Sequence, residues 1–232
     1  MITLRPAFER FHTDVDWLDS RHTFSFGEHY DPRHAGFRSL LVLNDDRVVA
    51  GGGFPTHGHR DMEIVSWVLE GALEHRDSLG SGSVLRPGMI QRMRAGTGIR
   101  HSEFNASKSD PLHFLQIWIV PEAKGLAPGY EEMALDPALL DGRLHVVAAR
   151  SPGSDAVSIR QDAAILIGRL KKGDAVTHPI APGRHAWVHV AKGSAGVNGF
   201  ALHEGDGAAV SDEPELRIST PSAGEILVFD LA

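Results

Sequence analysis

The stretch PTHGHRDMEIVSWVLEGALEHRDS, residues 55–78, sets a run of β-forming residues between a histidine pair and a glycine turn. Residues 62–69 carry Ile64, Val65, Trp67 and Val68 and read as a strand. Glu70-Gly71 ends it, and residues 72–78 follow as the second arm of a hairpin. His57 and His59 stand two apart. On extended chain such residues point to the same face.

Working outward, the same spacing recurs in His101-Ser102-Glu103, behind the turn Gly96-Thr97-Gly98. Gly51, Gly52 and Gly53 likewise precede the first pair and permit close backbone approach. With both segments as strands facing one interior, three imidazoles and a carboxylate converge. Such a set holds a divalent transition metal and leaves coordination positions open. With 14 histidines in the chain, one His-x-His arises by chance about once. The second pair therefore carries the argument. The competing reading makes all four solvated turn residues on the edge of a β protein.

The rest of the chain repeats the β texture. Residues 112–120, LHFLQIWIV, place Leu115, Ile117 and Ile119 on one face and Phe114, Gln116 and Trp118 on the other, so both faces are expected to be covered. Residues 121–142 carry three prolines, three glycines and one short helix-compatible stretch. They are the expected connection between two halves, 1–130 and 131–232. Strand-like runs then resume through residues 144–149, 164–170, 186–190, 207–210, 216–220 and 225–230. Asn198-Gly199 marks a two-residue hairpin turn. Many short strands at close spacing indicate an all-β barrel or sandwich, twice over. Aligning Gly71 with Gly193 matches WVLEGALEH to WVHVAKGSAGVNG. It also sets Pro179 opposite His57 and Ala181 opposite His59. The second half is thus expected to repeat the architecture without the ligands.

Composition narrows the function. A formal net charge of -7 argues against nucleic acid as a partner, which demands a basic surface. No basic amphipathic run suggests a membrane surface. The start lacks a signal-peptide pattern, and no segment has the length of a membrane helix. The expectation is a soluble, cytoplasmic protein. The absence of cysteine rules out disulfides, thiolate metal sites and cysteine nucleophiles, so any metal must be held by nitrogen and oxygen. Ser102 lacks a dedicated base, and the glycine-rich segments lack the lysine of a phosphate loop.

Residues 55–78, with RPGMIQRMRAGTGIRHSEF (86–104) and LQIWIVP (115–121), resemble the pirin family of the cupin superfamily, in particular the bacterial pirin-like quercetin dioxygenases. The resemblance runs from WLDSRHTFSFGEHYDP (17–32) to EILVFDL (225–231). It implies a bicupin, two antiparallel β-barrels in one chain, with a metal in the N-terminal barrel. The positions matching the family's ligands are His57, His59, His101 and Glu103. Many cupins instead take their carboxylate a few residues after His-x-His. Glu63 holds that place here and is expected to be structural or to support a ligand.

Three imidazoles and one carboxylate suit Fe(II), and also Mn, Co, Ni, Cu or Zn. Four protein ligands on a six-coordinate ion leave two positions, for an oxygen-donor substrate and for O2 or water. The resemblance implies oxidative opening of a flavonol such as quercetin by O2 with release of carbon monoxide, and Glu103 is the expected general base. Two other readings remain open. One is a metal-binding regulatory or adaptor protein with a protein partner. The other is a cupin enzyme for another small oxygenated substrate. His75 and His113 are strand histidines that either reach the cavity or only fill polar positions. His178, His185, His189 and His203 are expected to be structural or exposed.

Overall fold

Alternating apolar residues and glycine turns produce antiparallel strands throughout the computed structural model, which describes all 232 residues; three single-turn 3-10 segments are its helical content. The chain is all-β, as expected. No helix is long and apolar enough to cross a membrane.

Two compact units form, one from residues 11–135 with 157–161, the other from 1–10, 136–156 and 162–232. This division departs from 1–130 and 131–232 at both ends. Strand Ile2–Arg5 pairs with Gly207–Val210 in the second unit. Residues 129–134 are not part of a connector but a strand, Gly129–Ala134, paired along its length with Met89–Arg94. So short a stretch cannot sustain a helix alone, and its backbone groups satisfy an open sheet edge instead.

In the first unit the larger sheet runs in the order Gly129–Ala134, Met89–Arg94, Glu63–Glu70, Leu112–Ile119, Leu40–Val48, Leu18–His22, Phe11–Val15. The smaller runs Gly53–His59, Ile99–Asn105, Leu73–Asp77, Gly82–Leu85. The hairpin expected across Gly71 does not form, because Glu63–Glu70 and Leu73–Asp77 belong to different sheets. Gly71, with φ +79°, turns the chain from one sheet to the other, and a Cβ there would collide with the carbonyl of Pro111.

The second unit repeats this order. Its larger sheet runs Ile2–Arg5, Gly207–Val210, His185–Lys192, Gly224–Leu231, Ala163–Leu170, His145–Ala149, and its smaller sheet Ala175–Pro179, Glu215–Ser219, Ser194–Val197, Phe200–His203. Gly193 occupies the turn matching Gly71, with φ +76° and a Cβ path blocked by the carbonyl of Ala223. Asn198 and Gly199 both have positive φ and join Val197 to Phe200 in a two-residue turn, the type I′ geometry their sequence favours.

The interiors differ in one registered row. In the first unit Gln91, Ser66, Gln116, Asn44 and His22 face one another across five adjacent strands. All five are buried. Apolar clusters flank this row. Val68 and Phe114 belong to one; Ile64 and Met93, with Trp118 packed against them, form the other. In the second unit the corresponding row reads Ala208, Val188, Val228, Leu166, inside one continuous apolar cluster. A buried polar row needs partners, and the partners it finds define the site.

Candidate metal centre

His57 and His59 lie at the end of Gly53–His59, which pairs antiparallel with Ile99–Asn105. His101 faces His57, but Glu103 faces Phe54, so three residue steps on one strand match two on the other. This bulge falls at Pro55 and Thr56, where proline's missing N–H costs the ladder nothing. The Pro55 carbonyl accepts a 2.8 Å hydrogen bond from Nδ1 of His57. A carbonyl only accepts, so Nδ1 carries the proton and Nε2 presents a lone pair. Gly53 lies against the chain of Glu103 and Phe104, where a Cβ would strike backbone.

The ring centroids of the three histidines lie 4.5 to 4.9 Å apart, and one donor nitrogen from each falls within 4.8 Å of the others. A second group at the same separation joins His101 to Glu103 and His75. His101 is therefore common to both, and Glu103 lies nearer His101 and His75 than the His57–His59 pair. His57, His59 and Glu103 nevertheless line one cavity.

Neither ring nitrogen of His101 has a hydrogen-bond partner, although the residue is buried. An orphaned imidazole beside two others is a costly arrangement that a metal ion relieves. Burial first, then the neighbouring His57 and His75, push His101 down to about 3, against a smaller opposing effect of Asp77. Burial, then His101 and His57, push His59 down to about 4, opposed by Glu103. Both rings are therefore neutral near pH 7, the form that ligates. Nitrogen and carboxylate donors without thiolate fit a divalent transition ion.

The polar row holds the carboxylate. Gln116 donates from Nε2 to Glu103 Oε2 at 2.6 Å, while Ser66 Oγ and Gln91 Nε2 reach Oε1 at 3.2 and 3.4 Å. His75 is fully buried, with Nε2 3.2 Å from Asp77 Oδ2, and its ring stacks on Tyr130 at 4.8 Å. The Tyr130 hydroxyl donates to Gln91 Oε1. Spacing alone missed Gln116, Ser66, Gln91 and Tyr130. For Gln116 and Ser66 the available signal was a polar residue inside a largely apolar strand.

Other histidines fall elsewhere. His113 pairs with Asp45 at 2.6 Å on the face of its strand opposite Gln116. His178 bonds Asp230, His185 bonds Ser211, His189 is buried and His203 is exposed. Glu63 is fully buried and structural. It accepts from Arg94 Nε at 2.7 Å and from the backbone N–H of Arg160 at 3.1 Å, anchoring residues 157–161.

Two stacked antiparallel sheets with clustered imidazoles between them place the chain among metal-dependent cupins. Residues 4–119 match the Pirin family and residues 146–231 the quercetinase C-terminal cupin domain. A quercetin 2,3-dioxygenase of Escherichia coli K12 is 44% identical over 231 residues, spanning 100% of this chain and 99% of that protein. The crystal structure of the bacterial pirin YhhW from Escherichia coli in complex with nickel(II) superposes with a TM-score of 0.94 at 44% identity, covering 100% of this chain and 99% of that one. A quercetin 2,3-dioxygenase structure from Acinetobacter baumannii, at 23% identity, covers 98% of this chain and 85% of that one with a TM-score of 0.77, and shares the fold. The chain belongs to the pirin family.

Proposed function

We propose that this protein is a quercetin 2,3-dioxygenase that opens flavonols with O2, and that His57, His59, His101 and Glu103 hold its single divalent metal. In this reading each pair of sheets closes into a barrel, giving a bicupin with the metal in the N-terminal one. Fe(II) is the expected ion; Mn, Co, Ni, Cu and Zn suit the same donors. When bound, the ion supplies Lewis acidity toward a substrate oxygen.

The observation that carries the reading is the cavity beside the histidines. Half-buried Phe26, Phe54 and Trp118 line it together with His57, His59 and Glu103. Trp118 packs edge-on against both His59, at 4.9 Å, and Phe26, at 5.5 Å. An aromatic rim around polar donors suits a planar oxygenated substrate, and a flat adaptor surface would not need it.

The chain's own residues supply orientation and proton transfer. Glu103 accepts the flavonol hydroxyl proton. Oε2 is committed to the short bond from Gln116, so Oε1, with its longer contacts, is the oxygen that takes it. Gln116 keeps the carboxylate aimed through this transfer.

The test is to load the protein with single divalent metals and follow O2 uptake and quercetin absorbance together. Metal-dependent consumption of both, lost in His57→Ala, is expected. Glu103→Gln should keep metal partly bound and lose turnover at least about 100-fold. No turnover with any metal would overturn the reading.

A further inference from the structure

The cavity has a second polar surface that the metal chemistry leaves unused. Beneath the half-buried rim, its deeper lining includes Ser20, His22, Asn44 and Asp46, all at most 3% exposed. Asn44 belongs to the polar row, and the rest of that row is engaged. Gln91, Ser66 and Gln116 serve Glu103, while His22 bonds Thr13 Oγ1 at 2.9 Å. Asp46 accepts from Ser20 Oγ. The Oδ1 of Asn44 alone among these has no partner, at 2% exposure. In the second unit the equivalent place is Leu166, an apolar residue. An unpaired amide oxygen in a buried wall is expensive, and here the residue that carries it lines a cavity rather than packed core.

We propose that Asn44 is a specificity-determining residue, its Oδ1 accepting a hydroxyl of the substrate. This rests on the flavonol reading of the site. A cavity of about 60 Å³ admits one oxygenated edge of a flavonol, and the remaining skeleton lies out among Phe26, Phe54 and Trp118. Trp118 adds a matching feature: its indole Nε1 is also buried without a partner, so the lining offers an acceptor and a donor to an edge bearing a hydroxyl and a carbonyl. A site built to pair a hydroxyl discriminates strongly against an analogue lacking it, because the protein group is left buried and unmatched.

The test uses quercetin and analogues each lacking one hydroxyl, with metal-loaded parent, Asn44→Leu and Asn44→Asp proteins. Anaerobic equilibrium binding, followed by quenching of tryptophan fluorescence, is read alongside turnover in air. The parent should bind one analogue about 10-fold or more weakly than quercetin. Asn44→Leu should lose the same factor on quercetin and nothing further on that analogue. Asn44→Asp, which retains an acceptor, should keep the discrimination. Metal content and melting temperature report whether each variant has folded; should Asn44→Leu fail to fold, Asn44→Ala, which also deletes Oδ1, carries the test and should show the same loss. Equal loss on every analogue, or Asn44→Leu binding like the parent, would mean that Oδ1 meets only water, and the proposal falls while the dioxygenase reading stands. Hydroxyl-selective binding without turnover in air would sink the dioxygenase reading and leave Asn44 its role.

Discussion

Gln116 Nε2 and Glu103 Oε2 lie 2.6 Å apart in the buried interior of the first unit. The amide comes from the larger sheet and the carboxylate from the smaller one. This bond joins the two sheets at the site and sets where the carboxylate sits relative to the imidazoles.

Gln116→Leu should therefore weaken metal binding about 10- to 100-fold, the usual cost of deleting a group that orients a ligand. Competition with a chelator of known affinity measures this directly. An unchanged affinity would show that Ser66 and Gln91 suffice to hold Glu103.

Glu63→Ala separates a structural carboxylate from a ligand. It removes the partner of Arg94, and of the backbone N–H of Arg160, from a fully buried position. Leaving buried charge unpaired costs about 3–5 kcal/mol. The melting temperature should fall clearly while metal stoichiometry in the folded protein stays at the parental value. Loss of metal without loss of stability would return Glu63 to the ligand set.

Gly53→Ala should disturb the bulge beside Glu103. The added Cβ meets backbone of Glu103 and Phe104 as well as the Phe104 ring, so the strands must separate. About 1–3 kcal/mol of destabilisation is expected, with weaker metal binding. The same change at Gly51, where a Cβ meets nothing within 4 Å, carries only the strain of its positive φ. It should leave metal affinity intact.

The metal-free protein should lose stability as pH falls from 7.5 to 5. In the folded state His101 is pushed down to about 3 and His59 to about 4, mainly by burial. An unfolded histidine titrates near 6.5. Below that value the unfolded chain binds protons that the folded chain refuses, which favours unfolding. The stabilisation is complete above pH 6.5 and is lost as pH falls toward 4 and 3. Thermal melts across this range check the sign, and a melting temperature that rises on acidification would contradict it. Protons compete with metal at these two nitrogens only near their depressed values. His59 and His101 should thus contribute less to any fall in affinity between pH 7 and 5.5 than free imidazoles would.

Much of this was legible in the sequence because β-structure writes a short-range pattern. His57 and His59, two apart on extended chain, had to share a face. Asn198-Gly199 had to favour a tight turn. Where the pattern depends on a partner strand it fails. Residues 129–134 looked like part of a connector because nothing local reveals the edge of Met89–Arg94. Gly71 looked like a hairpin turn because a glycine with positive φ serves equally for a hairpin and for a passage between sheets.

The sequence by itself determined the all-β class, the internal repeat and the four candidate ligands, since each follows from spacing along one strand or one turn. Only the tertiary structure decided which polar residues surround them. Gln91, Ser66, Gln116, Asn44 and His22 come from five strands and become neighbours through register alone. Register is set by packing and turns far apart in the chain, so no local pattern carries it. That row separates the two units: polar partners for a carboxylate in one, and a closed apolar core in the other.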